Sequence, residues 1–167
     1  TLEGQNPESF PPKNRLPLYG ERVHSTPSYF SYIKVAEGCD SRCAYCAIPM
    51  IRGRYRSRPM ESIVEEAKGL AVDGTKELIL IAQDTSRYGE DLYGRLMLPA
   101  LLDRLCEIDG LRWIRLLYCY PDYITDELLD TMARQEKVVK YIDLPLQHVS
   151  GRMLKSMYRG GDRQSIT

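Results

Sequence analysis

No apolar run in the chain approaches the roughly 18 residues needed to cross a bilayer. The opening stretch TLEGQNPESFPPKNR also lacks the basic, apolar and cleavage segments of a secretory signal. These two absences speak against a membrane-spanning or exported class and make a cytoplasmic location, with no membrane partner, the expectation. A surplus of one charge is missing as well. Lys plus Arg and Asp plus Glu both number 23, for a formal net charge of zero, so nothing global marks a nucleic-acid or membrane surface and any basic patch has to be local. Histidine occurs only as His24 and His148. No second pair of the CxxC or HxxxH kind accompanies the single cysteine cluster, which argues against a structural zinc site. The cysteine count is odd and the spacing tight, which does not suit a disulfide framework.

What is present is a crowd of thiols. EGCDSRCAYCAIP, from Glu37 to Pro49, holds Cys39, Cys43 and Cys46 with gaps of three and then two residues. An electron-carrying ferredoxin supplies four thiolates per cluster at different spacings, and a fourth ligand is not evident here. Cys106 and Cys119 are isolated and read as small buried or half-buried thiols. The arrangement makes sense if the missing ligand is the purpose. Three thiolates on a four-iron cubane leave one iron free to bind and activate a small molecule, as the open position does in catalytic metal sites.

Around this loop the pattern alternates strands and helices. Residues 1–28 carry five of the ten prolines and read as a linker or extended arm, with His24 given no role. YFSYIKVAE reads as a first strand running straight into the cysteine loop. A helix follows from Pro59 at its first position, with Met60, Ile63, Val64, Ala67, Leu70 and Ala71 on one face. KELILIA is a strand buried on both faces. Leu98, Leu101, Leu102, Leu105 and Ile108 mark a second helix, and RWIRLLY a third strand. Thr125 caps a helix whose buried stripe is Leu128, Leu129 and Met132, and VVKYIDL is a fourth strand. A short last helix from near Ser150 turns Met153, Leu154 and Met157 to the sheet.

Four successive βα units predict an α/β fold, a partial TIM-like barrel of parallel strands with outer helices. The exit loops of such strands share one rim. The cysteine loop, AQDTSRYG, YCYPDY and PLQHVS therefore should face a common site. Arg52, Arg54, Arg56 and Arg58 alternate through IRGRYRSRP, which in an extended segment places all four on one side as a cationic patch or a solvated edge. Asp84 and Asp91 read as solvated loop carboxylates.

CDSRCAYC matches the CxxxCxΦC signature of radical S-adenosylmethionine enzymes, with Tyr45 as the aromatic. CAIPMIRGRYRSRP, LILIAQDTSRYGEDLYG, WIRLLYCYPDYITDELL and YIDLPLQHVSGRMLKSMYRGGDR resemble the protein-modifying branch of the methylthiotransferases, over nearly everything from residue 29 on. The sibling branch, which modifies adenosine next to the transfer-RNA anticodon, typically has a GQNV-like stretch where this chain has Gln83, Asp84, Thr85 and Ser86. The resemblance implies that Cys39, Cys43 and Cys46 hold a 4Fe-4S cluster and that S-adenosyl-L-methionine is cleaved reductively there. It further implies that a methylthio group goes to the β-carbon of an aspartate in the twelfth small-subunit ribosomal protein, with two S-adenosylmethionine molecules in distinct roles.

Gln83 is then a candidate for the amino-acid end of the cofactor, Gln147 or His148 for its ribose, and Tyr45 for packing near the adenine or the cluster. The family's reductant is a flavodoxin or ferredoxin, and contact with RNA is left open. Its upstream domain, which carries a second 4Fe-4S cluster, and its downstream β-domain are expected outside residues 29–167. Alternatives are the transfer-RNA reaction, or a non-catalytic fragment that binds a metal or a cluster as a scaffold.

Overall fold

In a computed structural model of the chain, the structure describes residues 18, 20 and 27–160. Most of the arm expected over residues 1–28, including His24, lies outside the described residues. In chain order the elements are β1 (Phe30–Lys34), β2 (Ala36–Glu37), α1 (Ile48–Arg52), β3 (Arg56–Ser57), α2 (Met60–Val72) and β4 (Glu77–Ile81). They continue with α3 (Glu90–Tyr93), α4 (Leu98–Cys106), β5 (Trp113–Leu116), a 3-10 turn at Pro121–Tyr123, α5 (Asp126–Arg134), β6 (Val138–Ile142) and α6 (Gly151–Ser156).

The main sheet is parallel throughout and ordered β1-β4-β5-β6, so each strand lies beside its predecessor in the βα series. That serial order is the one a barrel wall follows, and the chain supplies a sector of such a wall. Side chains alternate across it. Ser31, Ile33, Leu78, Leu80, Ile114, Leu116 and Val138 are buried on the face that α2, α4 and α5 cover. On the other face Tyr32, Trp113 and Tyr141 remain 40, 51 and 49% exposed. Arg115 on that face pairs with Glu77 at 2.6 Å and lies over the Tyr141 ring. A closed barrel turns this face inward. Ile79 is 93% buried even here, being 7% exposed on an interior strand, in keeping with the apolar run of β4.

The helices form because their apolar residues recur at the helical period. In α2, Met60, Ile63, Val64, Ala67 and Leu70 form the buried stripe. Pro59 sits one place outside the helix, as its cap rather than its first residue; its φ of −56° already suits a helix entry. In α4, Leu98, Leu101, Leu102 and Leu105 do the same. Thr125 caps α5, accepting a hydrogen bond from the Leu128 N–H. Leu129, expected in the buried stripe of α5, is instead 44% exposed. Thr131 joins Leu128 and Met132 on the core side, and the 100° step from Leu128 to Leu129 turns the latter outward.

Gly69 lies within α2 on its exposed side, with nothing within 4 Å of the position a β-carbon would take. Gly69→Ala is expected to stabilise the fold by about 0.5–1 kcal/mol, since alanine loses less backbone freedom in a helix interior. Urea denaturation of the two proteins measures the difference.

Candidate functional site

The first strand does not run unbroken into the cysteine loop as expected. It divides at Val35, whose N–H donates to the Ile81 carbonyl while its own carbonyl accepts from the Arg58 N–H, at 2.9 Å each. The chain thereby passes from the parallel sheet into a short antiparallel ribbon, β2 with β3, standing above the strand ends. Cys39, Cys43, Cys46 and α1 lie in the connection between the two arms of that ribbon. Gly38, with φ of +84°, makes the turn out of β2. The Cys39 N–H then donates to the Gly53 carbonyl at 3.1 Å, fixing the start of the loop against its end.

The same ribbon overturns the reading of the four arginines as one row. Gly53, with φ of +80°, interrupts the extended segment, and Arg52 ends a helix, so the alternation never holds over all four. Arg52 reaches Glu37 at 3.6 Å and Arg54 reaches Asp40 at 3.4 Å. Arg58 is 2% exposed and turned into the core, paired with Glu66 at 2.7 Å and donating to the Lys34 carbonyl and to Ser62 Oγ, each at 2.9 Å. Such a buried, multiply bonded guanidinium is part of the fold.

Each strand exit is tied to the next around the rim. The Gly38 N–H donates to Gln83 Oε1 at 2.6 Å, joining the exits of β1 and β4. The Thr85 N–H donates to the Tyr118 carbonyl at 2.9 Å and Thr85 Oγ1 to the Leu117 carbonyl at 2.6 Å, joining β4 to β5. The Cys119 N–H donates to the Asp143 carbonyl at 3.0 Å, joining β5 to β6. Asp40, inside the cysteine loop, accepts from the Tyr55 N–H and pairs with Arg87 at 3.3 Å. Arg87 in turn lies over the Tyr55 and Tyr123 rings.

These loops enclose a cleft of about 170 Å³. Cys39, Cys43, Cys46 and Tyr45 of the cysteine loop line it together with Gln83 and Asp84 after β4, and Tyr118, Cys119, Tyr120, Pro145 and Arg159 are among the other residues around it. A neighbouring groove of about 300 Å³, lined by Lys34, Ala36, Ile81 and Ala82, shares Gln83 and Tyr118 with it. Among the described residues no three His, Cys, Asp or Glu side chains gather tightly enough to grip one metal ion. The three cysteines that line the cleft are a soft, all-sulfur donor set, which suits iron–sulfur chemistry.

The sequence-predicted site residues separate into two groups. Tyr45 and Gln83 are at the cleft with the three cysteines. Tyr45 is 56% exposed, with its hydroxyl 3.2 Å from Arg159; Gln83 spends its side-chain oxygen on the backbone of Gly38. Gln147 and His148 are exposed and stand outside the lining. Gln147 has φ of +66°, and His148 Nδ1 accepts from the Ser150 N–H at 2.8 Å, a bond that shapes the entry to α6.

Asp84 corrects the expectation of a solvated carboxylate. It is 3% exposed; Ser86 donates to Oδ1 at 2.6 Å, and Oδ2 has no hydrogen-bond partner. Burial raises its pKa above the usual carboxylate range, the Ser86 bond opposing. Asp91 is exposed as expected, yet accepts from both the N–H and Oγ of Ser57. A carboxyl whose folded pKa is raised contributes stability below its unfolded value and loses it as pH rises through the folded one. Asp84→Asn, which removes the buried charge while keeping the shape, is therefore expected to stabilise the fold at neutral pH by about 1 kcal/mol. The advantage over wild type should shrink as pH falls towards 4, as denaturant titrations at several pH values will measure.

Cys119 also changes standing, because it lines the cleft as a fourth thiol at 1% exposure. Burial, with Asp84 and Asp143 nearby, pushes its thiol up to about 12. Cys119 stands at the exit of β5, outside the loop that carries Cys39, Cys43 and Cys46. Cys119→Ala is expected to keep the iron and sulfide content of the reconstituted protein unchanged; loss of iron would make Cys119 a ligand. Cys106, half-buried at the end of α4, stands away from the cleft.

Arg159 and Tyr120 were not legible as site residues, since nothing in their spacing sets them apart from other loop residues. Only the return of the chain after α6 brings Arg159 over the cysteine loop, where Nη1 lies 3.9 Å from Cys43 Sγ and Nη2 donates to the Pro145 carbonyl at 3.0 Å.

A parallel βα sector with a three-cysteine loop on the carboxyl rim is a radical S-adenosylmethionine scaffold, and the family comparison agrees. The radical SAM superfamily model matches residues 33–166, and the chain belongs to that superfamily. The chain is 55% identical over 148 residues to ribosomal protein uS12 methylthiotransferase RimO of Clostridium tetani, covering 89% of this chain and 33% of that one. It is 58% identical over 152 residues to the protein of the same name from Desulforamulus reducens, covering 89% and 34%. The chain thus spans about a third of the length of these relatives. Among solved structures, the radical S-adenosylmethionine methyltransferase TsrM of Kitasatospora setae, with tryptophan substrate and an S-adenosylmethionine analogue bound, superposes with a TM-score of 0.65 at 17% identity. That match covers 87% of this chain and 30% of TsrM, and bears on the fold alone.

Proposed function

We propose that this chain is the cluster-bearing part of a cytoplasmic radical S-adenosylmethionine methylthiotransferase of the RimO type. Its reaction adds a methylthio group to the β-carbon of an aspartate in ribosomal protein uS12. The observation that carries the reading is the convergence of Cys39, Cys43 and Cys46 on one cleft at the carboxyl rim, in a chain more than half identical to relatives bearing that name.

In this reading Cys39, Cys43 and Cys46, as thiolates, would hold a 4Fe-4S cluster. The cluster and S-adenosyl-L-methionine, when bound, would supply one-electron reductive cleavage of the sulfonium. The chain's own residues bind, orient and shield. Gln83, by accepting from Gly38, fixes the cysteine loop above β4, and the groove that shares Gln83 and Tyr118 with the cleft gives the nucleoside room. Tyr45 packs beside the adenine or the cluster. Gln147 and His148 serve the ribose only if the loop after β6 moves inward from its exposed position. Tyr120, with the Arg159 guanidinium stacked on its ring, supplies an aromatic wall of the cleft.

A second 4Fe-4S cluster belongs to the upstream region of the longer protein, and the electron comes from a flavodoxin or ferredoxin. The test is mass spectrometry of ribosomal protein uS12 and of transfer RNA from cells lacking the gene. What decides is which molecule loses the methylthio group. Loss from uS12 is expected. Loss from transfer RNA alone would favour the adenosine-modifying branch, and loss from neither, with zinc in place of iron in the purified protein, would favour a scaffold.

A further inference from the structure

The segment that follows α6 closes the rim on the cysteine loop. The Ala44 N–H donates to the Met157 carbonyl at 3.0 Å, so the end of α6 is joined to the backbone between Cys43 and Cys46. Tyr158 turns the chain with φ of +54°, and the Arg159 N–H returns to the Leu154 carbonyl at 2.9 Å. The guanidinium is thereby set over the cleft and held from three sides. It donates to the Tyr45 hydroxyl at 3.2 Å and to the Pro145 carbonyl at 3.0 Å, and its central carbon lies 4.0 Å from the centroid of the Tyr120 ring. What remains of its reach falls on sulfur, with Nη1 3.9 Å from Cys43 Sγ. Cys43 is 9% exposed, so the sulfur end of this contact is poorly hydrated, while the guanidinium itself is half-buried at the mouth of the cleft.

We propose that Arg159 is a positioning residue that sets the redox poise of the cluster. Its guanidinium donates to the Cys43 thiolate and places a fixed positive charge beside the cluster, raising the reduction potential so that an electron enters more readily. The inference rests on the reading of Cys43 as a cluster ligand. In the step concerned one electron passes from an external low-potential one-electron donor to the cluster. No bond forms or breaks in the chain and no proton moves, because arginine stays protonated at every accessible pH. Positive charge and hydrogen bonds to ligand sulfur favour the reduced, more negative form. The stacking on Tyr120 and the bond to Pro145 keep the group there without help from the thiolate, so the effect does not depend on which cofactor atoms enter the cleft.

The experiment uses the full-length protein reconstituted anaerobically with iron and sulfide, as wild type, Arg159→Met, Arg159→Gln and Arg159→Lys. A potentiometric titration follows the reduced-cluster electron paramagnetic resonance signal that changes shape when S-adenosylmethionine is added; that criterion singles out the cluster with the open iron. Arg159→Met is expected to bind iron and sulfide as wild type does and to show a midpoint shifted to more negative potential. Arg159→Lys should recover part of the shift, because its ammonium keeps the charge without spanning all three partners. Should Arg159→Met not load, Arg159→Gln, which keeps an amide donor without the charge, carries the same measurement.

An unshifted midpoint in a loaded neutral variant overturns the inference, and weaker S-adenosylmethionine binding in that variant would assign the guanidinium to the cofactor instead. Failure of both neutral variants to load while Arg159→Lys loads also overturns it, in favour of a role in assembly. Absence of any S-adenosylmethionine-sensitive signal in the wild type is a different failure, sinking the reading of the cysteine loop itself.

Discussion

Cys43→Ala is expected to abolish reductive cleavage of S-adenosylmethionine, with 5′-deoxyadenosine formation falling at least about a thousandfold, or about 4 kcal/mol in activation free energy. Cys43 is the buried member of the three cleft cysteines, and on the proposed ligation its removal would leave the cluster with two thiolates from this loop. Two ligands cannot hold one iron corner open while fixing the other three. Cys43→Ser should fail almost as completely, because a hydroxyl is a hard and weakly acidic donor beside soft iron–sulfide. The same outcome is expected at Cys39 and Cys46. Chromatographic assay of 5′-deoxyadenosine under dithionite, with iron counted in the same samples, checks each variant, and cleavage near the wild-type rate in any of them would contradict the assignment.

Gly38→Ala is expected to cost the fold about 3 kcal/mol or more and to empty the site at the same time. Two physical effects combine. The residue has φ of +84°, where a side chain is strained by about 1–3 kcal/mol. A β-carbon there would lie 2.1 Å from the Arg54 carbonyl oxygen and 2.8 Å from that of Gly53. Both neighbours are backbone, so neither can swing aside as a side-chain tip would. Relief requires the two arms of the ribbon to separate, which breaks the bond from Cys39 to Gly53 and disturbs that from Gly38 to Gln83. The urea midpoint and iron content of Gly38→Ala should both fall. An unchanged midpoint would mean that the loop is not clamped in this way, whereas Gly69→Ala, with open space around it, provides the comparison in which a methyl group helps.

Much of the architecture could be read from residue order because it rests on local periodicity. The stripes of α2 and α4, the apolar run of β4 and the regular recurrence of βα units each leave a signature within some fifteen residues, and the parallel order β1-β4-β5-β6 follows from them. The gathering of the cysteine loop with Gln83 and the YCYP loop at one rim follows in turn from the rule that strand exits share an edge. What could not be read depends on partners distant in sequence. Arg58 is buried because Glu66, eight residues on, meets it across the start of α2, and alternation alone gives no hint of that. Asp84 is buried because Tyr55 and Ser86 close over its loop, with the Tyr55 hydroxyl donating to the Asp84 carbonyl at 2.8 Å. The division of the first strand at Val35 needs β3, twenty residues later, to be in place. Arg159 enters the cleft through a turn at Tyr158 that favours no residue type strongly enough to be foreseen.

The central claim is that the three cysteines leave one iron of the cluster open to the amino and carboxylate groups of S-adenosylmethionine. Electron–nuclear double resonance on the reduced, reconstituted protein tests it most directly, with the cofactor labelled by nitrogen-15 at the amino group and oxygen-17 at the carboxylate. Hyperfine coupling of both labels to the cluster is the predicted result in wild type, persisting in Cys119→Ala. A fully iron-loaded protein that binds the labelled cofactor and shows coupling to neither label would contradict it.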